Sequence, residues 1–280
     1  MKINIILRKI LRRKIVIFGI IFLYILVFLA LFPSLITPID PMKMDISNRL
    51  AKLSKENWFG TDQFGRDIYS RIIYGAGLTL KSGLGVVLLS MFFGTLIAVL
   101  SAYYTKFGSI MMRLVDVIMS FPSLILALVF IVIFGRGFIN VIFAVGMGFM
   151  ARTARIIYAV TLKTKSEVFI KAAKSVGAKD SRIILRHILP NLISVMSVQT
   201  TFTFGFCLLQ IAALDFLGLG VSPQIPSWGN MLSEGRTYVT RAPWLLIFPG
   251  LCIVFTVLSF NIVGDMLRDE LDPRFRSIIR

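Results

Sequence analysis

Runs of apolar residues alternate with shorter polar stretches along most of the chain. A helix needs about 20 such residues to cross the hydrocarbon core of a bilayer. The pattern therefore predicts an all-α integral membrane protein with six transmembrane helices. The spans are expected at Ile15–Ile36, Ser82–Tyr104, Ser109–Phe134, from Phe138 on into Arg152 and Arg155, Leu192–Leu217 and Trp244–Leu267.

Two local features refine these spans. Pro122 follows Phe121 inside the third span, and a proline in a helix interior removes a backbone hydrogen bond, so a kink is expected there. Gly83, Gly85 and Gly94 lie in the second span, where small residues allow another helix to approach closely.

The first span follows a basic stretch, as a secretory signal peptide would. Its apolar run is longer than the roughly 7–15 residues of such a peptide, and no small-residue cleavage site follows it. We expect a retained membrane anchor.

The composition agrees with a membrane protein and excludes several other classes. The chain is 56% hydrophobic and 16% charged, whereas soluble domains have about 25% charged residues. Disordered and coiled-coil classes are excluded by the same values. The two cysteines, Cys207 and Cys252, lie in apolar runs and provide no disulfide framework.

The net charge of +17 could indicate a nucleic-acid partner, but an apolar basic chain is more typical of a membrane protein with cationic cytoplasmic flanks. With six spans, 21 of the 31 lysines and arginines fall on the side of both termini. That side is predicted to be cytoplasmic. The expected parts are the N-terminus with the first span (1–37), an extracytoplasmic segment (38–81), a core of five spans (82–267) with a cytoplasmic loop (163–191), and a cytoplasmic tail (268–280).

The cytoplasmic loop has the pattern of a short amphipathic helix, a glycine turn and a second helical turn before Pro190. Phe169, Ala172, Ala173 and Val176 share one face, opposite several lysines. Two interpretations fit this pattern. The helix docks into a groove on a partner protein, or it lies on anionic lipid.

Ala172-Ala173, then Gly177, then Leu189-Pro190 resembles the EAA loop of permease subunits of bacterial ABC importers. In that family the loop forms a coupling helix that contacts the ATPase subunit. Lys171 departs from the pattern, since it stands where the motif has glutamate. The ATPase-coupling residues implied by the resemblance are Glu167, Phe169, Lys171, Ala172, Ala173, Val176, Gly177, Arg182, His187 and Pro190.

A second resemblance indicates which subfamily of these permeases the chain is similar to. The stretch from Trp58 to Ala76 is similar to the GTDxxGRDxxSRxxYGA motif of the dipeptide/oligopeptide/nickel permeases, and several motifs between Phe216 and Arg274 recur in the same subfamily. The similarity covers nearly the whole chain and is closest to the second, "C"-type permease. It implies a type I ABC importer permease fold in the cell membrane.

The resemblance also implies the partners and the activity. These partners are a second homologous permease, two cytoplasmic ATP-binding subunits that hold ATP and Mg, and an extracytoplasmic substrate-binding protein. The cargo would be di- or oligopeptides, or alternatively nickel or a metal–metallophore chelate. No nucleic-acid partner is expected.

The extracytoplasmic motif places glycines among alternating charges, which suggests a tight turn braced by ion pairs. Direct contact with a binding protein or substrate is the alternative. Trp228 and Trp244 are interpreted as interface-belt aromatics in preference to ligand contacts. The motif residues are Gly60, Thr61, Asp62, Gly65, Arg66 and Asp67.

The fifth span carries the candidate translocation path. Polar groups in hydrocarbon are costly unless they face a cavity or another helix, so pore lining and helix–helix hydrogen bonding both explain them. Asp215 suits a peptide amino group or a structural hydrogen bond, whereas Asp116 is expected to pair with Arg113. The candidates are Met196, Gln199, Thr203, Gln210 and Asp215, with Cys207 on the same face.

No catalytic constellation is present. The chain has no Walker-type phosphate loop, so it should not bind ATP itself. Its single histidine, His187, and two isolated cysteines provide no metal cluster, so no cofactor is expected on this chain. A gradient-driven secondary transporter is a remote alternative, since only Asp116 and Asp215 are intramembrane carboxylates. A membrane enzyme is disfavoured.

Overall fold

The structure is a computed structural model that describes residues 14–37, 39–222 and 224–271, the side chain of Leu271 excepted. The predicted basic N-terminal flank and most of the tail at 268–280 lie outside the described residues. The described part folds as helices joined by loops, with no β-strand.

Eleven α-helices follow one another along this part of the chain. They are α1 Lys14–Leu31, α2 Pro33–Ile36, α3 Ile68–Tyr103, α4 Thr105–Met119, α5 Ser123–Phe134, α6 Phe138–Ser166, α7 Val168–Ser175, α8 Asp180–Ile183, α9 Leu189–Phe216, α10 Trp228–Gly235 and α11 Trp244–Leu271. A π-helical turn, Ile184–Ile188, joins α8 to α9, and short 3₁₀ turns lie at Ile46–Asn48 and Arg236–Tyr238.

Five helical stretches of the described chain are long and apolar enough to cross a membrane: α1, α3, α6, Asp180–Phe216 and Trp244–Glu270. The predicted third span is instead two helices, α4 and α5, which meet at 92°. The break lies at the predicted proline, because Pro122 cannot continue the hydrogen-bond ladder of α4. There are therefore five candidate spans, or six if the bent pair crosses as one.

The second span was predicted to begin at Ser82, but its helix begins 14 residues earlier. Helix α3 starts at Ile68, where the Asp67 carboxylate accepts a hydrogen bond from the backbone N–H of Ser70 at 2.8 Å. Residues 68–81, which were expected to belong to the extracytoplasmic segment, are thus the first turns of a 36-residue helix. Arg71 interrupts the apolar pattern there, but its charge is buried inside the protein.

Helices α3 and α6 form the most extensive helix pair, and α9, α11 and α1 pack around them. The predicted role of the glycines is confirmed. A Cβ atom added at Gly94 would lie 2.9 Å from the carbonyl oxygen of Met150, and one at Gly85 would lie 2.7 Å from Ile142. The absence of a side chain at these positions lets the two helices touch.

We expect Gly94→Val to lower the stability of the folded protein by about 2 kcal/mol, because overpacking a close helix contact costs about 1–3 kcal/mol. The measurement is the thermal unfolding midpoint in detergent. Gly250→Ala is the matched control, since a Cβ there meets only Leu232 Cδ2 at 3.9 Å. Equal effects of the two changes would contradict the packing role of Gly94.

Candidate functional site

The motif predicted to be extracytoplasmic, Gly60–Asp67, forms a tight turn directly before α3. Gly60 and Gly65 have φ values of +75° and +73°, which side chains other than glycine rarely adopt. A Cβ at Gly65 would lie 1.7 Å from the carbonyl oxygen of Asp45. Thr61 Oγ1 donates to the carbonyl of Asn48, which ties the turn to the preceding segment. The predicted glycine turn is present at Gly60 and Gly65, whereas Gly75, which was predicted to belong to it, lies inside α3.

Asp45 begins the 3₁₀ turn that this motif packs against. Hydrogen bonds from the side chains of Ser47 and Asn48 hold the pKa of the Asp45 carboxyl below its usual range. The carboxylate at the outer surface of the turn is therefore ionised at neutral pH.

Four charged side chains meet behind the turn and form a buried ion cluster: Asp62, Arg66, Arg71 and Glu234. Asp62 Oδ2 lies 2.5 Å from Arg66 Nε and 2.6 Å from an Arg71 guanidinium nitrogen. Glu234 Oε2 lies 2.8 Å and 2.7 Å from the same two arginines. Two cations and two anions thus balance one another, with Asp62 and both arginines buried and the Glu234 side chain 17% exposed.

This geometry matches the ion-pair interpretation of the motif. Arg71 and Asp62 are almost completely buried, so neither offers a free charge to a second protein. Sequence reasoning missed Glu234, which comes from α10 and lies 163 residues from Arg71. No local pattern connects residues that far apart.

The loop between α9 and α10 is held by Asp215. Its carboxylate accepts hydrogen bonds from Ser227 Oγ at 2.8 Å and from the backbone N–H of Val221 at 3.1 Å. A Cβ at Gly220 or Gly229 would collide with Asp215. Of its two proposed roles, Asp215 therefore fills the structural one.

The interpretation of Trp228 and Trp244 as interface-belt residues is wrong. Trp228 is 0% exposed, and its indole N–H donates to the carbonyl of Ile72 at 3.0 Å. The indole N–H of Trp244 donates to the carbonyl of Thr61 at 3.2 Å. Both rings are buried in the contact between the turn, α3 and the segment 217–244 that follows α9.

The helix–turn–helix predicted for the loop 163–191 is present as α7, a turn at Gly177 with φ +79°, and α8. Ile170 anchors α7 in the core with 1% exposure, although sequence reasoning did not single it out. Phe169, Ala172 and Val176 are exposed, and Ala173 is half-buried. The apolar face of α7 is thus left uncovered by the chain itself. Glu167, Lys171 and Arg182 are exposed around it, and His187 is half-buried.

Pro190 lies in the first turn of α9, as predicted for the residue that opens this span. Helical structure is continuous from Asp180 to Phe216. The backbone N–H of Leu189 donates to the carbonyl of Ile184, five residues back, so the chain makes a π turn directly before the proline. This wider turn accommodates a residue that has no N–H to donate.

Tyr103, at the end of α3, connects that helix to the loop. Its hydroxyl donates to Asp180 Oδ1 at 2.6 Å. Lys165 Nζ donates to the carbonyls of Ala102 and Tyr103, at 2.8 Å each. Lys174 lies 5.2 Å from the centre of the tyrosine ring, within range for a cation–π contact. We refer to Tyr103, Lys165, Lys174 and Asp180 as the tyrosine node.

The candidate path residues do not form one continuous surface. Gln199 and Thr203 line the same cavity, of about 120 Å³, and Gln199 Nε2 donates to Thr203 Oγ1 at 3.3 Å. Met196 packs against the main core, and Cys207 is fully buried. Gln210 is half-buried and does not line this cavity. The structure brings two of the candidates together.

The prediction that Asp116 pairs with Arg113 is also wrong. Its carboxylate pairs with Arg155 of α6 at 3.0 Å, and both side chains are about half exposed. Arg113 is one turn away from Asp116 on α4, but the packing of α4 against α6 brings Arg155 to the Asp116 carboxylate instead. Within the described ranges, no group of three or more His, Cys, Asp or Glu residues could hold a metal ion.

The fold is similar to that of chains from two solved ABC transporters. It is similar to a chain of the MetNI methionine ABC transporter in an inward-facing conformation, with a TM-score of 0.61 and 17% identity over 72% of this chain and 96% of that one. It is also similar to a chain of an amino acid ABC transporter, with a TM-score of 0.56 and 18% identity over 72% of this chain and 94% of that one. At these identities the likeness concerns the fold alone.

Sequence relatives identify the family. The dipeptide transport system permease protein DppC of Alkalihalophilus pseudofirmus is 40% identical over 95% of this chain and 88% of its own length. The glutathione transport system permease protein GsiD of Escherichia coli is 39% identical over 91% of this chain and 85% of its own length. Residues 90–277 match the family described as binding-protein-dependent transport system inner membrane component. The chain belongs to this family and is a multi-pass membrane protein.

We expect Glu234→Ala to destabilise the protein by about 3 kcal/mol, because it leaves two buried arginines with one carboxylate and breaking a buried pair costs about 3–5 kcal/mol. Asp116→Ala, in the half-exposed pair, should cost less than about 1 kcal/mol. Thermal unfolding of the purified protein measures both. Similar losses in the two variants would show that the ion cluster does not brace the turn.

Proposed function

We propose that this chain is the transmembrane permease subunit of an ATP-driven, binding-protein-dependent importer of peptides. Its relatives over almost the whole chain, which are named for dipeptide, peptide and glutathione transport, support a peptide cargo. None of these names favours nickel. The assembly would contain a second homologous permease, two ATP-binding subunits on the cytoplasmic side and an extracytoplasmic binding protein.

The uncovered face of α7 is the observation that carries the coupling role. Val168 and Val176 are 78% and 83% exposed, next to Phe169 at 43%. Exposing large apolar side chains to water is costly, so a partner surface is the natural complement. A groove of the ATPase subunit fits a short helix with apolar residues on one side and lysines on the other. Anionic lipid is the competing partner for the same face.

The tyrosine node would carry movement of this loop to the spans. A displacement of α7 and α8 acts on Tyr103 through Asp180 and Lys174, and Tyr103 ends the helix whose other end carries the ion cluster. Alternating access requires that ATP binding favours one of two packings of the spans. In this proposal α3 links the ATPase contact to the outer surface. The basic residues of the loop support its cytoplasmic placement.

A gradient-driven transporter would couple uptake to an ion and not to ATP. The family match to binding-protein-dependent systems favours the ATP-driven mechanism. The decisive experiment is purification of the assembled complex followed by peptide uptake into proteoliposomes. Uptake that needs the ATPase subunits and is blocked by vanadate is expected. Uptake that proceeds without them would contradict the proposal.

We expect Gly177→Asp to abolish peptide uptake without preventing membrane insertion. The φ of +79° strains any other residue, and the added charge stands beside the docking face. A bulky residue at Ala173 should have the same effect. The measurements are uptake and the ATPase activity that loaded binding protein stimulates.

Gly135→Asp is the matched control, because Gly135 has a φ of +85° and also has open space around it. It should retain coupled ATPase activity, since it lies in the loop between α5 and α6. Loss of coupling in both variants would mean that backbone strain alone, and not docking, causes the defect.

We expect Tyr103→Phe to lower the number of peptides taken up per ATP hydrolysed by about tenfold, because a hydrogen bond to a charged group is worth about 1.5–3 kcal/mol. The phenyl ring still fills the buried site, so the amount of folded protein should not change. Tyr104→Phe is the control, since the Tyr104 side chain is 46% exposed. If Tyr103→Phe takes up as many peptides per ATP hydrolysed as the wild type, the tyrosine node does not take part in coupling.

A further inference from the structure

Arg152 stands out among the charged residues of the spans. It lies on α6, 14 residues after Phe138, or about 21 Å along the helix, whereas the hydrocarbon core of a bilayer is about 30 Å thick. The next arginine of the helix, Arg155, pairs with Asp116. Arg152 is exposed and forms no ion pair with any residue in the described ranges.

Although the charge count above assigns Arg152 to the cytoplasmic side, it lies inside the candidate span Phe138–Ser166, and an unpaired cation within a span is costly unless it faces a water-filled cavity or a ligand. Arg152 lines the same cavity of about 120 Å³ as Gln199 and Thr203. This volume is well above the roughly 10–15 Å³ that one water molecule needs. The cavity is therefore able to hold a polar group of a transported molecule beside the guanidinium.

The rest of the cavity wall is apolar and largely aromatic. Phe149, Ile156, Phe202 and Phe206 complete it. A guanidinium presents paired N–H donors that match the two oxygens of a carboxylate. A site with one such cation, two neutral polar groups and an apolar wall suits a carboxylate that carries an apolar substituent.

We propose that this cavity is a transient binding site for the C-terminal carboxylate of the peptide during translocation, with Arg152 as its anion-binding residue. The inference deepens the proposed function and rests on it. A transporter that accepts peptides of different sequences must bind what they share, and the terminal carboxylate is present in all of them. The aromatic wall accommodates the last side chain, whatever its shape.

The first test uses the complete complex in proteoliposomes with dialanine as the probe. Arg152→Gln should reduce ATP-driven uptake by about tenfold or more, whereas ATP hydrolysis stimulated by loaded binding protein stays within about twofold of the wild type. Arg152→Lys should retain part of the uptake, because the charge remains. Arg155→Gln, on the same helix but outside the cavity, is the control and should transport normally.

The second test replaces the charge chemically. In a Cys207→Ala, Cys252→Ala background that transports dialanine, Arg152→Cys should lose uptake and regain part of it after reaction with a cationic thiosulfonate. An anionic thiosulfonate should give no recovery. Equal recovery with both reagents would overturn the assignment of Arg152 as an anion-binding residue.

Two other results would overturn the proposal. Wild-type uptake by Arg152→Gln would show that the charge is not used. Loss of the second permease from purified Arg152→Gln complexes would show that Arg152 pairs with an acidic residue of that subunit instead. A wild-type complex that takes up no peptide would contradict the proposed function itself, and it would also overturn the carboxylate site, which depends on that function.

Discussion

The close approach of α3 to α6 is the constraint on which the other parts of the structure depend. Gly85 and Gly94 leave no side chain between the two helices, so the pair acts as a single support for α9, α11 and α1. Helix α3 has 36 residues, or about 54 Å at 1.5 Å per residue, and therefore extends beyond the hydrocarbon core. Its two ends reach the glycine turn with its ion cluster and the α7–α8 loop.

Those two ends are held by different physical means. At the start of α3, buried charges balance one another, and such a cluster tolerates little movement because separating its members leaves a charge without a partner. At the end of α3, Tyr103 holds the α7–α8 loop through one hydrogen bond to Asp180 and one cation–π contact with Lys174, next to side chains that remain exposed. A firmly held first turn and a more easily displaced last turn of α3 suit the proposed coupling, in which movement enters α3 from the α7–α8 loop.

The polar residues of α9 divide into two groups with different roles. Gln199 and Thr203, around the middle of α9, face the cavity that Arg152 also lines. Asp215 lies near the other end of α9, and its carboxylate accepts hydrogen bonds from the loop that follows the helix. Helical spacing alone places such residues on a common face, but the neighbours that each one meets differ along the helix.

The sequence by itself determined the positions of most spans, the break at Pro122, the glycine turns at Gly60, Gly65 and Gly177, and the helix of the cytoplasmic loop. Each of these depends on hydropathy or backbone freedom within a short segment. Only the tertiary structure decided that Glu234 completes the ion cluster, that Trp228 is buried, and that Asp116 meets Arg155. Those contacts join residues that are distant along the chain, and which of them form depends on how the helices pack against one another.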